Sequence, residues 1–434
     1  MGRRTALEPY REALALPGLR PLLLVAILAR VPVAATAVVM TLHVLDLGRG
    51  YFAAGLVGAA MTVGAAFGAP LLGRLVDRRG LRPMLLLTTV VEAVFWGTAP
   101  VLPYPVLLGA AFVGGLLTLP VFSVIRQSIA ALVPPTQRRP AYALDSMSVE
   151  LSFMVGPAAA VALATGASPT LAMYAVGGGI VLAGLALLAL DPPTRGRNEE
   201  TTTVRPLPRR QWLTPRLIGL LAGGAAGTLV IAGTDVAVVA VLRDAGQVDW
   251  TGMVLALWAA YSLVGGFTYG ALSRPVPSLG LAVMLGLVTV PVGLASGQWW
   301  LLALVLLPSG ALTAPTIAAT ADAVSRLAPA SVRGEAMGLH GSAMTVGLAL
   351  GAPLAGAVID ASAPAWGFAA TGLLGALIAL AVLPAELRHR RSDAAVVATR
   401  RSGRVPRPRG DGSSRFPDGR RPPPRPARRR ATPG

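Results

Sequence analysis

Acidic side chains stand inside long apolar stretches of this sequence, where an ionised group is costly and therefore points to a function. Glu92, Glu150 and Asp235 are of this kind. A carboxyl group in such surroundings can bind and release a proton, so all three are candidate proton-coupling residues. Glu150 is the first candidate, because about ten residues of its stretch precede it, which is ~15 Å of helix. A structural ion pair is the alternative for each, and Asp235 can also serve a cationic substrate.

Other polar and aromatic residues in these stretches are candidate partners or cavity-lining groups. Arg30 or Arg126 can compete with the proton as the partner charge of Glu150. Trp258 and Tyr261, three residues apart, are neighbours on one face of a helix and either line an amphipathic cavity or pack against other helices. The remaining ionisable candidates lie near the ends of their stretches: Asp145, Asp322 and His340.

The residue types exclude several classes of protein. The chain has no cysteine and only three scattered histidines, so we expect neither a metal site nor a catalytic cluster, and therefore no enzyme. We expect no cofactor. No phosphate-binding G-x-x-x-x-G-K-[ST] stretch occurs, which argues against an ATP-driven permease. A receptor that moves no cargo stays open.

The apolar stretches themselves predict an all-α integral membrane protein. The chain is 54% hydrophobic and only 13% charged. A bilayer core of ~30 Å needs ~20 mainly apolar helical residues. Twelve segments meet this requirement: 21–45, 52–73, 84–102, 105–130, 141–165, 170–190, 215–242, 250–272, 279–296, 299–325, 335–359 and 365–383.

The arginines predict how these segments cross the membrane. Arg49 and Arg243 are the only arginines in the odd-numbered connections, whereas every even-numbered connection and both termini contain arginine. Positive connections stay in the cytoplasm, so we expect both termini there, in a bacterial inner membrane. The net charge of +18 comes largely from the Arg/Pro-rich end of the chain. We interpret that end as a disordered cytoplasmic tail beside anionic lipid rather than a nucleic-acid-binding segment.

An internal repeat relates the first six segments to the last six. A shift of 195 residues places "GLLTLP" (Gly115–Pro120) on "GALTAP" (Gly310–Pro315). A parallel duplication of a six-helix unit explains this match. We therefore expect an N-terminal half over 1–190, a cytoplasmic linker over 191–214, a C-terminal half over 215–385 and the tail over 386–434.

The stretch "GRLVDRRGLRP" (Gly73–Pro83) resembles the signature between the second and third helices of the major facilitator superfamily, G-x-L-a-D-r-x-G-r-r. The residues Gly73, Leu75, Asp77, Arg78, Gly80 and Arg82 match it. The resemblance implies the twelve-helix fold of that family, a small-molecule substrate, and a cytoplasmic gate at this motif. In the second half, "GALSRPVPSLG" (Gly270–Gly280) occupies the matching position but has lost the acidic residue.

A second motif bears on the direction of transport. "SFMVGPAAAV" (Ser152–Val161) is similar to the antiporter motif of drug-exporting facilitators at Gly156 and Pro157, and Gly351 and Pro353 form a related small-residue pattern. Helix packing and bending explain these residues equally well. We expect proton-coupled efflux of a small amphipathic compound by a monomer. Proton symport or facilitated uptake of a metabolite or sugar is the alternative.

Overall fold

The computed structural model describes residues 7–195, 207–272 and 276–401. The chain divides into two units, Met1–Arg388 and His389–Gly434. The second unit contributes helical backbone as far as Arg401, and the rest of the predicted tail lies outside the described residues.

The regular structure in the described ranges is entirely helical. The helices are α1 (Glu8–Leu14), α2 (Leu19–Asp46), α3 (Tyr51–Arg79), α4 (Leu81–Thr98), α5 (Tyr104–Leu116), α6 (Val121–Leu132), α7 (Arg138–Gly166), α8 (Pro169–Leu190), α9 (Arg209–Trp212), α10 (Pro215–Asp244), α11 (Thr251–Ala271), α12 (Ser278–Thr289), α13 (Trp299–Val305), α14 (Leu307–Leu327), α15 (Arg333–Ala361) and α16 (Trp366–Arg401).

These helices supply the predicted membrane spans. Eleven helical segments of the described chain are long and apolar enough to cross a bilayer. The helices α13 and α14 form the twelfth span as a pair bent by 43°. Pro308 lies in the first turn of α14, where its missing N–H group interrupts the helical hydrogen bonds. The prediction of twelve spans in an all-α membrane protein is confirmed, and α2–α8 and α10–α16 supply six spans each.

The charged motif is more helical than the sequence indicates. The predicted second span ends at residue 73, whereas α3 continues to Arg79, and α4 begins directly after Gly80. Gly80 has a φ of 86°, which a residue with a side chain rarely adopts, so this glycine alone makes the turn. The Arg82 Nε atom lies 2.9 Å from Asp191 Oδ2, which links the start of α4 to the end of α8. The motif therefore presents its charges from a rigid helix end.

The two halves use the same helix crossing. A Cβ atom on Gly156 of α7 would lie 2.4 Å from the carbonyl oxygen of Val31 on α2. A Cβ atom on Gly351 of α15 would lie 2.3 Å from the carbonyl oxygen of Leu229 on α10. Each glycine permits close contact between the first and fifth spans of its half. This shared geometry supports the duplication inferred from the sequence.

Candidate functional site

The two halves meet at the end of the bundle that contains Asp77, which we call the Asp77 end. The backbone N–H groups of Gly334 and Glu335 donate to the two carboxylate oxygens of Asp77, over 2.9 and 2.8 Å. Asp77 is buried at the end of α3, and the two donors lie in the first turn of α15, in the other half. A carboxylate is stabilised at a helix N-terminus because the N–H groups there have no partner within the helix. We call this contact the Asp77 junction.

A second carboxylate in the Asp77 junction, Glu335, is not among the residues singled out from the sequence. Arg74 donates to both of its oxygens, with distances of 3.0 and 2.9 Å, and Arg209 donates to Oε1 over 2.6 Å. Glu335 is buried, and paired arginines compensate the cost of burying its charge. The sequence does contain a sign of this role, because Glu335 begins an apolar stretch and an acidic residue in that position needs a partner from another segment.

Glycines bring α3 and α15 into backbone contact at the Asp77 junction. A Cβ atom on Gly73 would lie 2.2 Å from the carbonyl oxygen of Gly334, and one on Gly334 would lie 2.6 Å from that of Gly73. The halves are therefore closed against each other at the Asp77 end. Of the other matched motif residues, Arg78 is exposed, Gly80 forms the turn and Arg82 pairs with Asp191.

A buried charge cluster lies deeper in the first half. Asp145 Oδ1 lies 2.5 Å from Arg30 Nη2, and Asp145 Oδ2 lies 3.1 Å from Arg126 Nε. Arg30 also donates to Ser148 Oγ over 2.6 Å, and its guanidinium lies over the ring of Phe122. The three charged side chains are 0 to 3% exposed. Both arginines proposed as partners of Glu150 are thus paired with Asp145 instead.

Glu150 forms a link between the two halves. Its Oε1 atom accepts a hydrogen bond from Ser262 Oγ on α11 over 2.8 Å, and Ser262 in turn accepts one from the N–H of Ala314 on α14. Glu150 is half-buried and has no arginine or histidine partner in the part of the chain that the structure describes. Asp235, on α10, is exposed and close enough to Glu150 for their charges to interact. The structure therefore places two of the three proton-coupling candidates, one from each half, within range of each other's charge.

Glu92, the third candidate, has a different environment. Its carboxylate accepts hydrogen bonds from Trp96 Nε1 (2.9 Å), Thr118 Oγ1 (2.6 Å) and the N–H of Leu119 (3.0 Å). Thr118 and Leu119 lie in the break between α5 and α6, just before Pro120. A buried carboxylate with three donors satisfies backbone and side-chain groups that the broken helix leaves unpaired. This geometry favours a structural role.

The remaining candidates are dispersed. Asp322 pairs with Arg326 on the next turn of α14, at 2.9 Å, near the Asp77 end. His340 is fully buried, and its Nε2 atom lies 3.2 Å from Thr320 Oγ1, within the second half. Trp258 is buried in an apolar cluster with α10 residues, one turn from Ser262. None of these three side chains forms a hydrogen bond or an ion pair with Glu150 in the described part of the chain.

The last candidates from the sequence are Tyr261 and two prolines, Pro157 and Pro353. The Tyr261 side chain is half-buried, and its Cβ would lie 2.8 Å from a Cβ atom on Gly310, at the contact between α11 and α14. Pro157 and Pro353 lie inside α7 and α15, close to the two glycine crossings described above. Helix packing accounts for all three residues. That the Gly156–Pro157 stretch indicates export stays a prediction.

Comparison with known proteins agrees with this architecture. The family model of the Major Facilitator Superfamily matches residues 22–295 and 247–426, which is most of the chain. The chain belongs to the major facilitator superfamily. Members of this family are transporters and not enzymes, and they bind small-molecule substrates within the membrane. No curated protein in the comparison matches the chain.

Solved structures of other facilitators have the same fold. A bacterial homologue of the iron transporter ferroportin, in an outward-facing state, is 16% identical with a TM-score of 0.68, and the match covers 85% of this facilitator and all of that chain. The human organic anion transporter MFSD10 (TETRAN) is 18% identical with a TM-score of 0.66, over 84% and 100% of the two chains. The proton:xylose symporter XylE is 14% identical with a TM-score of 0.62, over 83% and 94%. At these identities the likeness concerns the fold alone.

Proposed function

We propose that this facilitator is a secondary active transporter that exports a small amphipathic compound in exchange for protons. The observation that carries the proposal is the hydrogen bond between Glu150 and Ser262. It joins a carboxyl group of the first half to a hydroxyl group of the second, and Glu150 has no basic partner among the described residues. A carboxyl group so placed is free to gain and lose a proton, whereas Asp145 and Glu92 are already fully paired.

Alternating access turns this link into a coupling device. Movement of the halves relative to each other breaks or strengthens the bond from Ser262, and protonation changes its strength because an ionised acceptor is the better one. In the state open to the cytoplasm, cargo displaces the proton of Glu150. In the state open to the outside, a proton displaces the cargo. The cytoplasmic side has the higher pH, so proton release there is downhill and drives export.

The direction of exchange has two alternatives. Proton symport or facilitated uptake of a small metabolite or sugar uses the same parts, and a receptor on this scaffold moves no cargo at all. The related structures include a proton:xylose symporter and an organic anion transporter, so they support transport and leave the cargo open. Within the described ranges neither Glu150 nor Asp235 has a basic partner, which favours an amphipathic compound without a negative charge.

Flux in proteoliposomes distinguishes these alternatives. We expect ethidium, an amphipathic cation with no titrating group, to accumulate in the lumen when the lumen is more acidic than the outside and the membrane potential is held at zero with potassium and valinomycin. Antiport moves cargo toward the acidic side, because protons leave that side. Accumulation toward the alkaline side would identify symport, and flux that ignores the pH gradient would contradict proton coupling. Protein-free liposomes are the control.

The arginine distribution supports a topology for this cycle. We place the protein in a bacterial inner membrane as a monomer, with both termini, the 191–214 linker and the 386–434 tail in the cytoplasm and the halves at 1–190 and 215–385. The Asp77 end is then cytoplasmic. Closure at that end corresponds to the outward-facing state, which is also the state of the ferroportin homologue.

Cysteine labelling in intact cells tests this topology, because the chain has no cysteine of its own. We expect a membrane-impermeant thiol reagent to modify Leu294→Cys, which is 90% exposed at the opposite end, and to leave Arg79→Cys unmodified until the cells are opened. Modification of Arg79→Cys in intact cells would reverse the orientation.

A further inference from the structure

The second repeat closes the bundle without the acidic residue that the first repeat uses. In the first half, Gly73 and Asp77 at the end of α3 contact α15 of the other half. The matching stretch after Gly270, at the end of α11, carries no acidic residue through Gly280. The end of α11 nevertheless packs against α7 of the first half. Some other group must therefore stabilise this second contact.

Tyr10, on the short helix α1, occupies this position. Its hydroxyl group donates to the carbonyl oxygen of Phe267 in the last turns of α11, and that of Gly266 lies 3.4 Å away. Its ring stacks on the Phe267 ring, with centroids 4.9 Å apart and planes at 10°. Tyr10 is 4% exposed, and burial raises the pKa of its hydroxyl group well above the usual range. The hydroxyl group is therefore a neutral donor throughout the physiological pH range.

Gly270 is what allows Tyr10 to bind there. A Cβ atom at this position would lie 2.2 Å from the Tyr10 hydroxyl oxygen and 2.8 Å from the Cβ of Ala143 on α7. The glycine that begins the degenerate motif thus accommodates α1 and α7 together. Arg139 of α7 adds a hydrogen bond to the carbonyl oxygen of Leu272, over 2.5 Å. Leu272 follows the last residue of α11, so its carbonyl group has no N–H partner within the helix. The Phe267 carbonyl oxygen has two lone pairs, so it can accept from the Tyr10 hydroxyl group as well as from its helical partner.

The helix α1 is attached to the first half. A turn at Gly18, with a φ of 85°, joins it to α2, and Arg20 Nε donates to the carbonyl oxygen of Leu14 over 2.6 Å. It also packs against α7. Any movement that separates α11 from α7 at the Asp77 end must therefore pull Phe267 away from Tyr10.

We propose that Tyr10 is a positioning residue of the transport cycle, which stabilises closure of the Asp77 end by binding α11 of the second half to the first half. It takes the place of the carboxylate that the second repeat lacks. This role requires only that the halves separate at this end. It is independent of the cargo, of the coupling ion and of the direction of transport proposed above.

The reactivity of a single buried thiol measures this role. Ser325 is fully buried near the end of α14, where it meets Tyr142 of the first half, so Ser325→Cys reacts with a thiol reagent only when the Asp77 end opens. Its reaction rate is proportional to the open population, however small that population is. We expect Tyr10→Phe, which keeps the stacked ring and loses the donor, to raise the rate about fivefold, the usual effect of one hydrogen bond. Tyr10→Ala also removes the aromatic pair and should raise it about twentyfold.

Two controls separate this effect from general loosening of the structure. Tyr104→Phe removes a similar hydrogen bond, from the Tyr104 hydroxyl to the carbonyl oxygen of Ala53 over 3.1 Å, within the first half. It should leave the rate at Ser325→Cys unchanged. Ser309→Cys, buried inside the second half beside Thr289, should react at the same rate with and without Tyr10. Equal rates at Ser325→Cys in Tyr10→Phe and Tyr104→Phe, or a parallel rise at Ser309→Cys, would overturn the proposal. Tyr10→Phe preserves side-chain volume, so the test holds even if Tyr10→Ala does not fold.

Discussion

Asp145→Asn is expected to lower the free energy of unfolding by about 3–5 kcal/mol, the usual effect of removing one partner from a buried ion pair. Asp145 pairs with both Arg30 and Arg126, and all three side chains are almost fully buried. The amide has nearly the same shape as the carboxylate but no charge. The variant therefore leaves two guanidinium groups without a counter-ion inside the first half. Thermal unfolding in detergent, followed by tryptophan fluorescence, measures the loss.

A matched substitution elsewhere serves as the control. Asp322→Asn removes the same charge from the pair with Arg326, but the arginine there is 42% exposed. Such pairs contribute only about 0–1 kcal/mol, so this variant should unfold close to the wild-type temperature. Replacing Arg126 by Met in the Asp145→Asn protein should recover part of the lost stability, because one uncompensated charge is removed. Equal stability of the two Asn variants would show that the buried cluster is not a structural element.

Glu150→Gln is expected to abolish the effect of a pH gradient on flux while cargo exchange continues. A glutamine oxygen still accepts the hydrogen bond from Ser262, so the contact between the halves is kept. The amide cannot release a proton, so the variant loses proton coupling but still exchanges cargo. In the ethidium assay the variant should equilibrate dye at the same level in the presence and absence of the gradient.

Glu92→Gln is the informative comparison. The Glu92 carboxylate accepts three hydrogen bonds at the break before Pro120, and an amide nitrogen cannot accept. We expect this variant to be less stable but still to respond to the gradient. If Glu150→Gln stays coupled, the proton site lies elsewhere, and Asp235→Asn is the next variant to measure. Loss of coupling in Glu92→Gln alone would reverse the assignments.

The sequence by itself determined the membrane architecture. Whether a stretch such as 215–242 crosses a bilayer depends on its own length and hydropathy, and the helix found there, Pro215–Asp244, agrees closely. The family was equally readable from the spacing of Gly73, Asp77 and Gly80, because that motif is local. The boundary at Arg79 was missed, because apolarity marks the extent of the lipid core while a helix continues beyond it.

Only the tertiary structure decided which charges meet. The sequence offered Arg30 or Arg126 as the partner of Glu150, yet both arginines pair with Asp145. Glu92 accepts three hydrogen bonds at a helix break, and Glu150 accepts one from a hydroxyl group of the other half. These partners come from different helices and, at Glu150, from a residue more than a hundred positions away. The hydrogen bond from Tyr10 to the last turns of α11 was equally invisible in the sequence. Hydropathy and spacing report a residue's own segment, whereas the charge that compensates it is set by the packing of helices distant in the chain.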